Sequence, residues 1–292
     1  MRSSEPQSVS VLTPSRGYAH FIGDALLSVQ RQSRLSVEHI VQDGASADGT
    51  IAVLEEFGDR VRWRSEPDGG QSEALNRALS HATHGWIGWL NADEFYLPDG
   101  LAVLAEAAAR TDADVVYGDC VFVDEGGRMT RLLAAHDFDA SVLKRYGCFI
   151  KTCAALFRRT ALPDHPWDER LRVTMDWELF LHLAAARARF HHVPYPVGAF
   201  RAHPGRVTAG SRTGIDDEYE LLRHVYGAGG PGRWIGVGFH RLHKLTGGGY
   251  RREWRARRSS GLDLRWFRPE VGATTWEAFL HRCYGRVASR RS

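Results

Sequence analysis

The chain has 292 residues, of which 43% are hydrophobic and 25% are charged, a composition typical of a globular protein rather than a disordered one. This length can form one large domain, or one domain with an appendage. No run of 18 apolar residues occurs, so the sequence predicts no transmembrane helix. The polar start, Met1–Ser8, lacks the apolar core of a signal peptide, and the four cysteines include no CxxC pair. A cytoplasmic protein with reduced thiols is therefore expected.

The charge is distributed unevenly along the chain. Pro231–Ser292 contains 14 Lys and Arg against 4 Asp and Glu, a local balance of +10, whereas the preceding 230 residues carry 24 and 31, a balance of −7. A mildly acidic body with a strongly basic tail indicates a molecule of two parts. The tail is expected to meet an anionic partner such as a membrane surface or a phosphate-bearing lipid.

Over the first 90 residues, short apolar runs alternate with segments whose apolar residues have helical spacing. Strands are predicted at Val9–Leu12, Val37–Val41, Val61–Trp63 and Trp86–Leu90, and helices at Phe21–Val29, Ile51–Phe57 and Gln71–Ala82. This rhythm predicts an α/β fold with a mostly parallel, doubly wound sheet. Asp43, Asp68 and Asp93 each follow a strand, so we expect them at the edge where such sheets bind ligands.

The regular alternation ends after the fourth strand. Further strands are predicted at Asp114–Asp119 and Cys153–Phe157, a hairpin at Val121–Val123 with Met129–Leu133, and helices at Leu101–Ala109, Trp177–Ala186 and Asp216–Tyr226. Asp176 stands at the start of the amphipathic helix that begins at Trp177.

The most informative stretch is Trp86–Glu94, an apolar run that ends abruptly in polar residues. It has the pattern of a buried strand followed by Asn91, Asp93 and Glu94. Carboxylate and amide oxygens are hard ligands that suit Mg²⁺ or Mn²⁺ beside phosphate oxygens. On this stretch alone a capped turn is an equally good interpretation, because Asn and Asp are common after strands.

An ordered set of short motifs resembles the family 2 glycosyltransferases, most of all the bacterial branch that builds O-antigen, capsule and exopolysaccharide repeats. The motifs are Val9–Pro14, Asp43–Thr50, Ser65–Gly70, Leu90–Glu94, Val116–Asp119, Met175–Glu178 and Arg201–Pro204. Each is weak alone, but the order is specific, and the resemblance covers residues 8 to 208. It implies a GT-A fold with a small antiparallel part on the acceptor side, a sugar-nucleotide donor, a divalent metal and inversion at the anomeric carbon.

The resemblance also implies which residues contact the nucleotide. Thr13 and Pro14 belong to a segment that touches it, Asp43 matches the acid that binds the base, usually uracil, and Asp68 matches an acid close to the nucleoside. The sequence departs from the family where Arg16–Gly17 replaces the usual Tyr-Asn. The departure therefore concerns the identity of the base and not the chemistry.

The remaining correspondences concern the reaction itself. Asn91 and Asp93 match the DxD-type motif, with Asn91 near the ribose and Asp93 as the ligand of Mg²⁺ or Mn²⁺. Asp176 matches the general base, and His203 matches a histidine close to the metal and the diphosphate. Asp119 is a candidate for a contact with the acceptor or the donor sugar.

Each of these residues also has a structural interpretation. Asp176 has the position of a helix N-cap, Asp43 that of an Asx turn, and His203 that of a plain loop residue. Glu178 is interpreted as a capping or surface-paired residue. A carboxylate at Asp176 would supply the base that a poorly nucleophilic hydroxyl needs.

We expect an inverting enzyme that transfers sugar from a nucleotide donor, UDP-sugar favoured, to a glycan or polyprenyl-linked acceptor. The alternatives are a sugar-nucleotide or glycan-binding protein without turnover and, less favoured, a nucleotidyltransferase, for which Thr13–Gly17 is a poor match. Residues 1–210 are predicted to form the GT-A domain, and residues 211–292 a basic helical extension. That extension either binds the inner face of the cell membrane or packs on the body; nucleic acid is not expected, because no nucleic-acid motif accompanies the charge.

Overall fold

A computed structural model describes residues 8–205, 214–229, 232–265 and 273–285. The strands are β1 (Val9–Ser15), β2 (Val37–Asp43), β3 (Arg62–Ser65), β4 (Trp86–Trp89), β5 (Phe95–Tyr96), β6 (Val115–Val123), β7 (Met129–Leu133), β8 (Ala155–Arg158) and β9 (Phe190–Arg201). The helices are α1 (Ile22–Gln30), α2 (Thr50–Phe57), α3 (Gln71–Ser80), α4 (Gly100–Arg110), α5 (Ala140–Arg145), α6 (Met175–Ala185), α7 (Ile215–Tyr226), α8 (Arg233–Thr246), α9 (Gly249–Ala256) and α10 (Ala273–Tyr284).

The strands of the described residues form one mixed sheet in the order β3-β2-β1-β4-β8-β6-β9-β5, with β7 paired to β6. β1, β2, β3 and β4 run parallel, which confirms the predicted parallel half. β8 runs antiparallel to both β4 and β6, while β5 and β7 are antiparallel to β9 and β6. This second half contains the expected antiparallel part, although β6 and β9 pair in parallel within it. The whole is the GT-A fold with helices on both faces.

Alternation along β1 shows how the sheet buries both of its faces. Val9 and Val11 point into a core shared with α1 and α4, and Leu12 points into a second core shared with α3 and α6. All three side chains are completely buried. Because the period of a strand is two residues, this pattern holds the register of the sheet and so the place where each strand ends.

Three elements were not predicted: β5, β9 and α5. β9 carries Pro194 and Pro196 and shifts register against β6 near Asp119, so it lacks the clean alternation of a strand. β5 has only two residues, and α5 has six. These elements depend on tertiary contacts more than on a local pattern.

The C-terminal helices pack on the body of the protein. Trp276 and Phe279 of α10 are buried in the same core as Val121 of β6. Because this core is continuous, the division into domains at residue 210 stays a prediction. Within the described ranges, no helix combines the length and the apolar character needed to cross a bilayer.

Asp119 anchors this packing, and its contact with the acceptor or the donor sugar stays a prediction. Its carboxylate is completely buried and accepts hydrogen bonds from Arg252 Nε at 2.9 Å and Tyr284 Oη at 2.8 Å, both from the C-terminal helices. The backbone N–H of Ala135 and the ring of His192 complete its partners, at 2.9 and 3.0 Å. A buried carboxylate with partners of this kind is a structural node.

Candidate active site

A cavity of about 520 Å³ opens where the carboxyl ends of β1 and β4 meet the first turns of α3 and α6. Six of the predicted site residues line it: Pro14, Asp68, Asn91, Asp93, Asp176 and His203. Parallel strands bring their ends to one edge of a sheet, and this edge is where α/β proteins bind their ligands. The edge of the sheet at which the sequence places these residues is therefore one wall of a cleft.

Asp93 and His203 form a contact pair in this cleft. Asp93 Oδ2 lies 2.9 Å from Nε2 of His203, and both residues are at most 8% exposed. The turn that carries Asp93 is held from below, because the buried guanidinium of Arg201 donates from Nε to the Asp93 carbonyl at 2.9 Å and pairs with Asp24 at 2.8 Å. Arg201 thus fixes the backbone from which the Asp93 carboxylate projects.

Asn91 is oriented by two donors. Its Oδ1 accepts hydrogen bonds from Gln71 Nε2 at 2.6 Å and from Trp89 Nε1 at 2.8 Å. These contacts join the turn after β4 to the first residue of α3 and set the direction of the amide. Asn91 thereby presents a fixed polar group to the cleft rather than a mobile one.

Glu94 follows Asp93 and is almost completely buried. Burial, and after it the neighbouring carboxylate of Asp93, raise the pKa of Glu94 to about 8. Glu94 is then mostly protonated at neutral pH, which removes a like charge beside Asp93. Its Oε2 accepts a hydrogen bond from the Asn91 backbone N–H at 3.2 Å, so it also stabilises the turn.

The donor set was tested against the divalent ion that the motif implies. Among the described residues no group of three His, Cys, Asp or Glu side chains is arranged to hold a metal by itself. Mg²⁺ and Mn²⁺ in phosphate sites take one or two protein carboxylates and complete their shell with phosphate oxygens and water. Asp93 beside His203 on the wall of an open cleft fits that kind of site.

Thr13 and Asp43 lie behind the cleft instead of lining it. Thr13 Oγ1 is 2.8 Å from Nε2 of the buried His39. The Asp43 carboxylate is fully buried and accepts from the Ser46 backbone N–H at 2.8 Å, the Ser46 hydroxyl at 2.5 Å and the Ser65 hydroxyl at 2.7 Å. Asp43 stabilises the turn after β2, but through the N–H three residues on and not the N–H two residues on that defines an Asx turn. Its contact with a base stays a prediction.

Asp68 does reach the cleft. It accepts the Gly70 backbone N–H at 2.9 Å, and burial raises the pKa of its carboxyl above the ordinary value. A Cβ added to Gly44 would lie only 2.8 Å from Asp68 Oδ2, so the glycine permits the close approach of the two turns. Arg16, which replaces the usual family residue, also lines the cavity.

Asp176 lies in the first turn of α6, where the helix dipole favours a negative charge. Thr174 precedes the helix, so Asp176 is not its N-cap. The loop before α6 is held by Glu218 of α7, which accepts backbone N–H groups from Arg172, Val173 and Thr174 at 2.7, 3.1 and 2.8 Å. Glu218 thereby positions the helix start and, through it, the Asp176 carboxylate.

The protonation of Asp176 depends on its surroundings. Burial raises the pKa of Asp176 above its ordinary value, and the ammonium of Lys151 works in the opposite direction. Burial also disfavours the charged form of Lys151, yet the Asp176 carboxylate and nearby thiols leave the pKa of Lys151 above its usual value. Both residues line the cleft, so a cation and a carboxylate share one wall of it.

Comparison with known proteins identifies the family of this chain. The model of the family described as "Glycosyl transferase family 2" matches residues 10–202. The chain belongs to glycosyl transferase family 2. The match covers the parallel half of the sheet, the turn after β4, α6 and β9, which together build the cleft.

Relatives of this family 2 member are similar over most of its length. A "PGL/p-HBAD biosynthesis glycosyltransferase" of Mycobacterium bovis (strain BCG / Pasteur 1173P2) is 30% identical over 195 residues, which are 63% of this chain and 73% of the relative. An "uncharacterized glycosyltransferase" of Rickettsia typhi is 23% identical over 228 residues, 73% of this chain and 70% of the relative.

Solved structures share the fold. S. aureus TarS 1-349 in complex with UDP-GlcNAc superimposes with a TM-score of 0.60 at 17% identity, over 75% of this chain and 65% of that chain. The same protein in a further crystal structure is matched over 95% of this chain with a TM-score of 0.56. The chain thus spans less than two thirds of the first of these structures, and at this identity the likeness establishes the fold.

Sequence reasoning missed Lys151, Gln71 and Glu218 in this family 2 site. Lys151 follows a loop without periodicity, so only the approach of α6 brings it beside Asp176. Gln71 begins a helix and has no feature that distinguishes it from a surface residue. Glu218 is 44 residues beyond the loop that it holds, and no local pattern reports a contact of that range.

Glu178 has the structural role that the sequence indicated. Its carboxylate accepts a hydrogen bond from the Tyr226 hydroxyl of α7. The contact ties α6 to α7 on the side away from the cleft and supplies no group for chemistry.

Proposed function

We propose that this family 2 enzyme is an inverting glycosyltransferase that moves a sugar from a nucleotide-sugar donor, UDP-sugar favoured, to a glycan or polyprenyl-linked acceptor. The process would be the biosynthesis of a bacterial surface polysaccharide or glycoconjugate. One observation carries the proposal: Asp93 and Asp176 line the same cavity, from the end of a parallel strand and from the first turn of a helix. The UDP-GlcNAc bound to S. aureus TarS supports the choice of donor class.

The leaving group is a nucleoside diphosphate that gains negative charge as the bond to the sugar breaks. Asp93, with His203 beside it, would hold a Mg²⁺ or Mn²⁺ ion, which when bound supplies Lewis-acid stabilisation of that charge. Arg201 keeps the Asp93 turn in place and the protonated Glu94 adds no second negative charge. These two residues prepare the metal side of the cleft before the donor arrives.

The acceptor hydroxyl needs a base, and Asp176 is the residue we assign to it. It would accept the hydroxyl proton while the oxygen attacks the anomeric carbon from the face opposite the diphosphate, which inverts the configuration. Lys151 opposes the effect of burial on the pKa of Asp176 and so favours the ionised form that a base requires. The nucleoside would lie toward Pro14, Asp68 and Asn91, at the other end of the cavity.

A polyprenyl-linked acceptor is embedded in a bilayer, so peripheral association with the inner face of the cell membrane is part of the same proposal. The enzyme would approach the acceptor from the cytoplasm, where nucleotide sugars are available. Its basic C-terminal helices are the part of the chain suited to an anionic surface.

The test is a thermal-shift screen with UDP-, GDP- and dTDP-sugars, each with and without Mn²⁺, followed by a transfer assay with the donor that binds. We expect UDP-sugars to stabilise the protein more with Mn²⁺ than without it. Asp93→Ala should remove the metal-dependent part, because a diphosphate-bound ion then loses its protein carboxylate. Asp59→Ala, which removes an exposed acid far from the cleft, is the matched control and should respond like the wild type.

If the metal-dependent thermal shift were unchanged in Asp93→Ala, the assignment of Asp93 as a metal ligand would be wrong. Metal-dependent donor binding with no hydrolysis or transfer to any acceptor would favour the non-catalytic binding protein. Stabilisation by no nucleotide at all would contradict the proposal as a whole.

A further inference from the structure

The helix α8 presents its apolar side chains to solvent. At about 100° per residue, five of them fall within an arc of about 140° on one face. They are Trp234, Ile235, Phe239, Leu242 and Leu245, with exposed fractions of 83%, 51%, 43%, 52% and 68%. We name these five side chains the outward stripe. Single exposed apolar residues need no explanation, but a contiguous set on one helix face marks an interaction surface.

The opposite face of α8 is polar and is the one that packs on the body. Nδ1 of the buried His240 lies 3.0 Å from Nε2 of His136, and its ring stacks on Tyr146 with centroids 4.0 Å apart. His243 Nε2 lies 3.0 Å from Asp139. An ordinary surface helix turns its apolar face to the core, so α8 is inverted. Specific polar contacts hold α8 in this orientation. The exposure of the outward stripe therefore follows from the fold.

A glycine lets the inner face of α8 pack closely on the body. A Cβ on Gly236 would lie 2.6 Å from the Tyr146 backbone nitrogen, so this glycine lets α8 approach the end of α5 closely. Gly238 lies within the arc of the outward stripe, and a Cβ there would meet no atom within 4 Å. The two glycines therefore distinguish a packed side from an open side of the same helix.

Exposed arginines accompany the outward stripe on α8 and α9. Arg233, Arg241 and Arg251 are exposed and form no ion pair with another residue in the described part of the chain. Trp254 of α9 is 60% exposed, and the Arg258 guanidinium lies 5.7 Å from its ring. Exposed apolar and aromatic side chains accompanied by exposed arginines on the same two helices match the interface of a bilayer, where rings lie at headgroup level and cations meet lipid phosphates.

We propose that the outward stripe inserts into the surface of an anionic lipid bilayer, with Arg241 and Arg251 on the lipid headgroups. A second copy of the chain is the competing occupant, and charge argues against it. Pro231–Ser292 carries a balance of +10, so two such faces would repel each other, whereas an anionic leaflet attracts both.

The docking helix is connected to the cleft through α5. α8 packs on α5, and the chain runs from the end of α5 at Arg145 to Lys151 in only six residues. Docking through α8 would therefore hold at the bilayer a helix that packs on the segment leading to Lys151 of the cleft. The surface is inferred from exposure and charge alone, and its use in reaching a lipid-linked acceptor rests on the proposed transferase function.

The experiment is vesicle co-sedimentation of the full chain with phosphatidylcholine vesicles and with vesicles containing about 30% phosphatidylglycerol, at low and high salt. The wild type should bind the anionic vesicles and lose binding at high salt. Trp234→Ser/Leu245→Ser should lose about tenfold or more in partitioning, since inserted apolar side chains supply much of the attraction. Arg241→Ser/Arg251→Ser should bind more weakly and with a smaller salt dependence.

Val225→Ser is the matched control, because Val225 is 56% exposed on α7 and outside the outward stripe; it should bind like the wild type. Circular dichroism and the nucleotide thermal shift, measured on every variant, report whether the fold and the cleft are intact. No binding to anionic vesicles at low salt, or equal binding by the stripe variant, would overturn the inference. So would a concentration-dependent dimer in light scattering that the stripe variant abolishes.

The two proposals fail separately. A protein that nucleotide stabilises but that ignores vesicles contradicts membrane docking and leaves the transferase assignment standing. A protein that binds anionic vesicles through the outward stripe but that no nucleotide stabilises contradicts the transferase assignment alone.

Discussion

At the scale of single residues, the sharpest question is whether Asp176 acts as the base. General-base catalysis contributes roughly 10²–10⁴-fold, so Asp176→Asn should raise the barrier by about 3–5 kcal/mol. Folding should change little, because α6 is preceded by Thr174 and its entry loop is held by Glu218. The measurement is kcat with the donor named by the screen, beside donor affinity, which should stay near the wild-type value.

Glu178→Gln is the control for this change, since Glu178 lies on the same helix two residues on and bonds Tyr226 outside the cleft. It should keep wild-type turnover within a few-fold. If Asp176→Asn retained full activity, the base assignment would be wrong.

The effect of Lys151 should appear in the pH dependence of kcat/KM rather than in the rate at the optimum pH. Asp176 works as a base when deprotonated, so kcat/KM rises as pH increases through its pKa. Lys151 lowers the pKa of Asp176, so Lys151→Met should move the acid limb of the profile to higher pH. Lys151→Arg keeps a cation and should move it back. An acid limb at the same pH in all three proteins would contradict this electrostatic role.

At the scale of elements, the active-site helix depends on a carboxylate from outside the matched family segment. Glu218 of α7 accepts four hydrogen bonds from the loop before α6, three from backbone N–H groups and one from the Thr174 hydroxyl. Hydrogen bonds to a charged acceptor contribute about 1.5–3 kcal/mol. Glu218→Ala should therefore lower the free energy of unfolding by a few kcal/mol, about 2–3 kcal/mol, in urea denaturation.

The same variant should lower kcat while sparing nucleotide affinity. The reason is that the loop leads into the helical turn that carries Asp176, whereas Asp93 lies on another segment. Glu220→Ala is the matched control on the same helix: Glu220 is exposed and pairs with Arg223 one turn away, a contact worth about 0.5 kcal/mol or less. Equal destabilisation by both variants would show that Glu218 has no special part in holding α6.

The parallel half of the fold was predictable because its central strands, β1 and β4, are buried on both faces and its strands end in turns. Trp86–Glu94 shows why the site was partly predictable too: the strand end, the acid and the sheet edge are local features of one segment. β9 and the contacts of Lys151 and Glu218 could not be predicted, since they depend on segments far apart in the chain. The inverted face of α8 is the clearest case, because its composition predicts a basic amphipathic helix but not which side faces the body.

At the scale of the whole molecule, α8 is joined to the body through a histidine pair, and this makes the joint sensitive to acid. Burial lowers the pKa of His136 to about 4 and that of His240 to about 4, so both rings are neutral in the folded protein at pH 7. In the unfolded chain a histidine has a pKa of about 6.5, so the unfolded state binds more protons between about pH 6.5 and pH 4. Stability is therefore lost as pH falls through this window.

The size of the loss follows from the same linkage. Each histidine should cost about 2 kcal/mol of unfolding free energy between pH 7 and pH 5 if it titrates independently, and the pair should cost less than twice that because the two rings are hydrogen-bonded. Glu94 acts in the opposite direction, since burial raises its pKa to about 8, so differences between variants are more informative than the wild-type curve.

His240→Gln is the variant that isolates the effect. It removes one titrating ring from the joint, so its unfolding free energy should fall less steeply than that of the wild type between pH 6.5 and pH 5, by up to one proton's worth, about 1.4 kcal/mol per pH unit. His224→Gln, on the exposed surface of α7, should follow the wild-type slope. Urea denaturation at several pH values measures all three proteins. Parallel curves for the wild type and His240→Gln would mean that the histidine pair carries none of the acid sensitivity of the molecule.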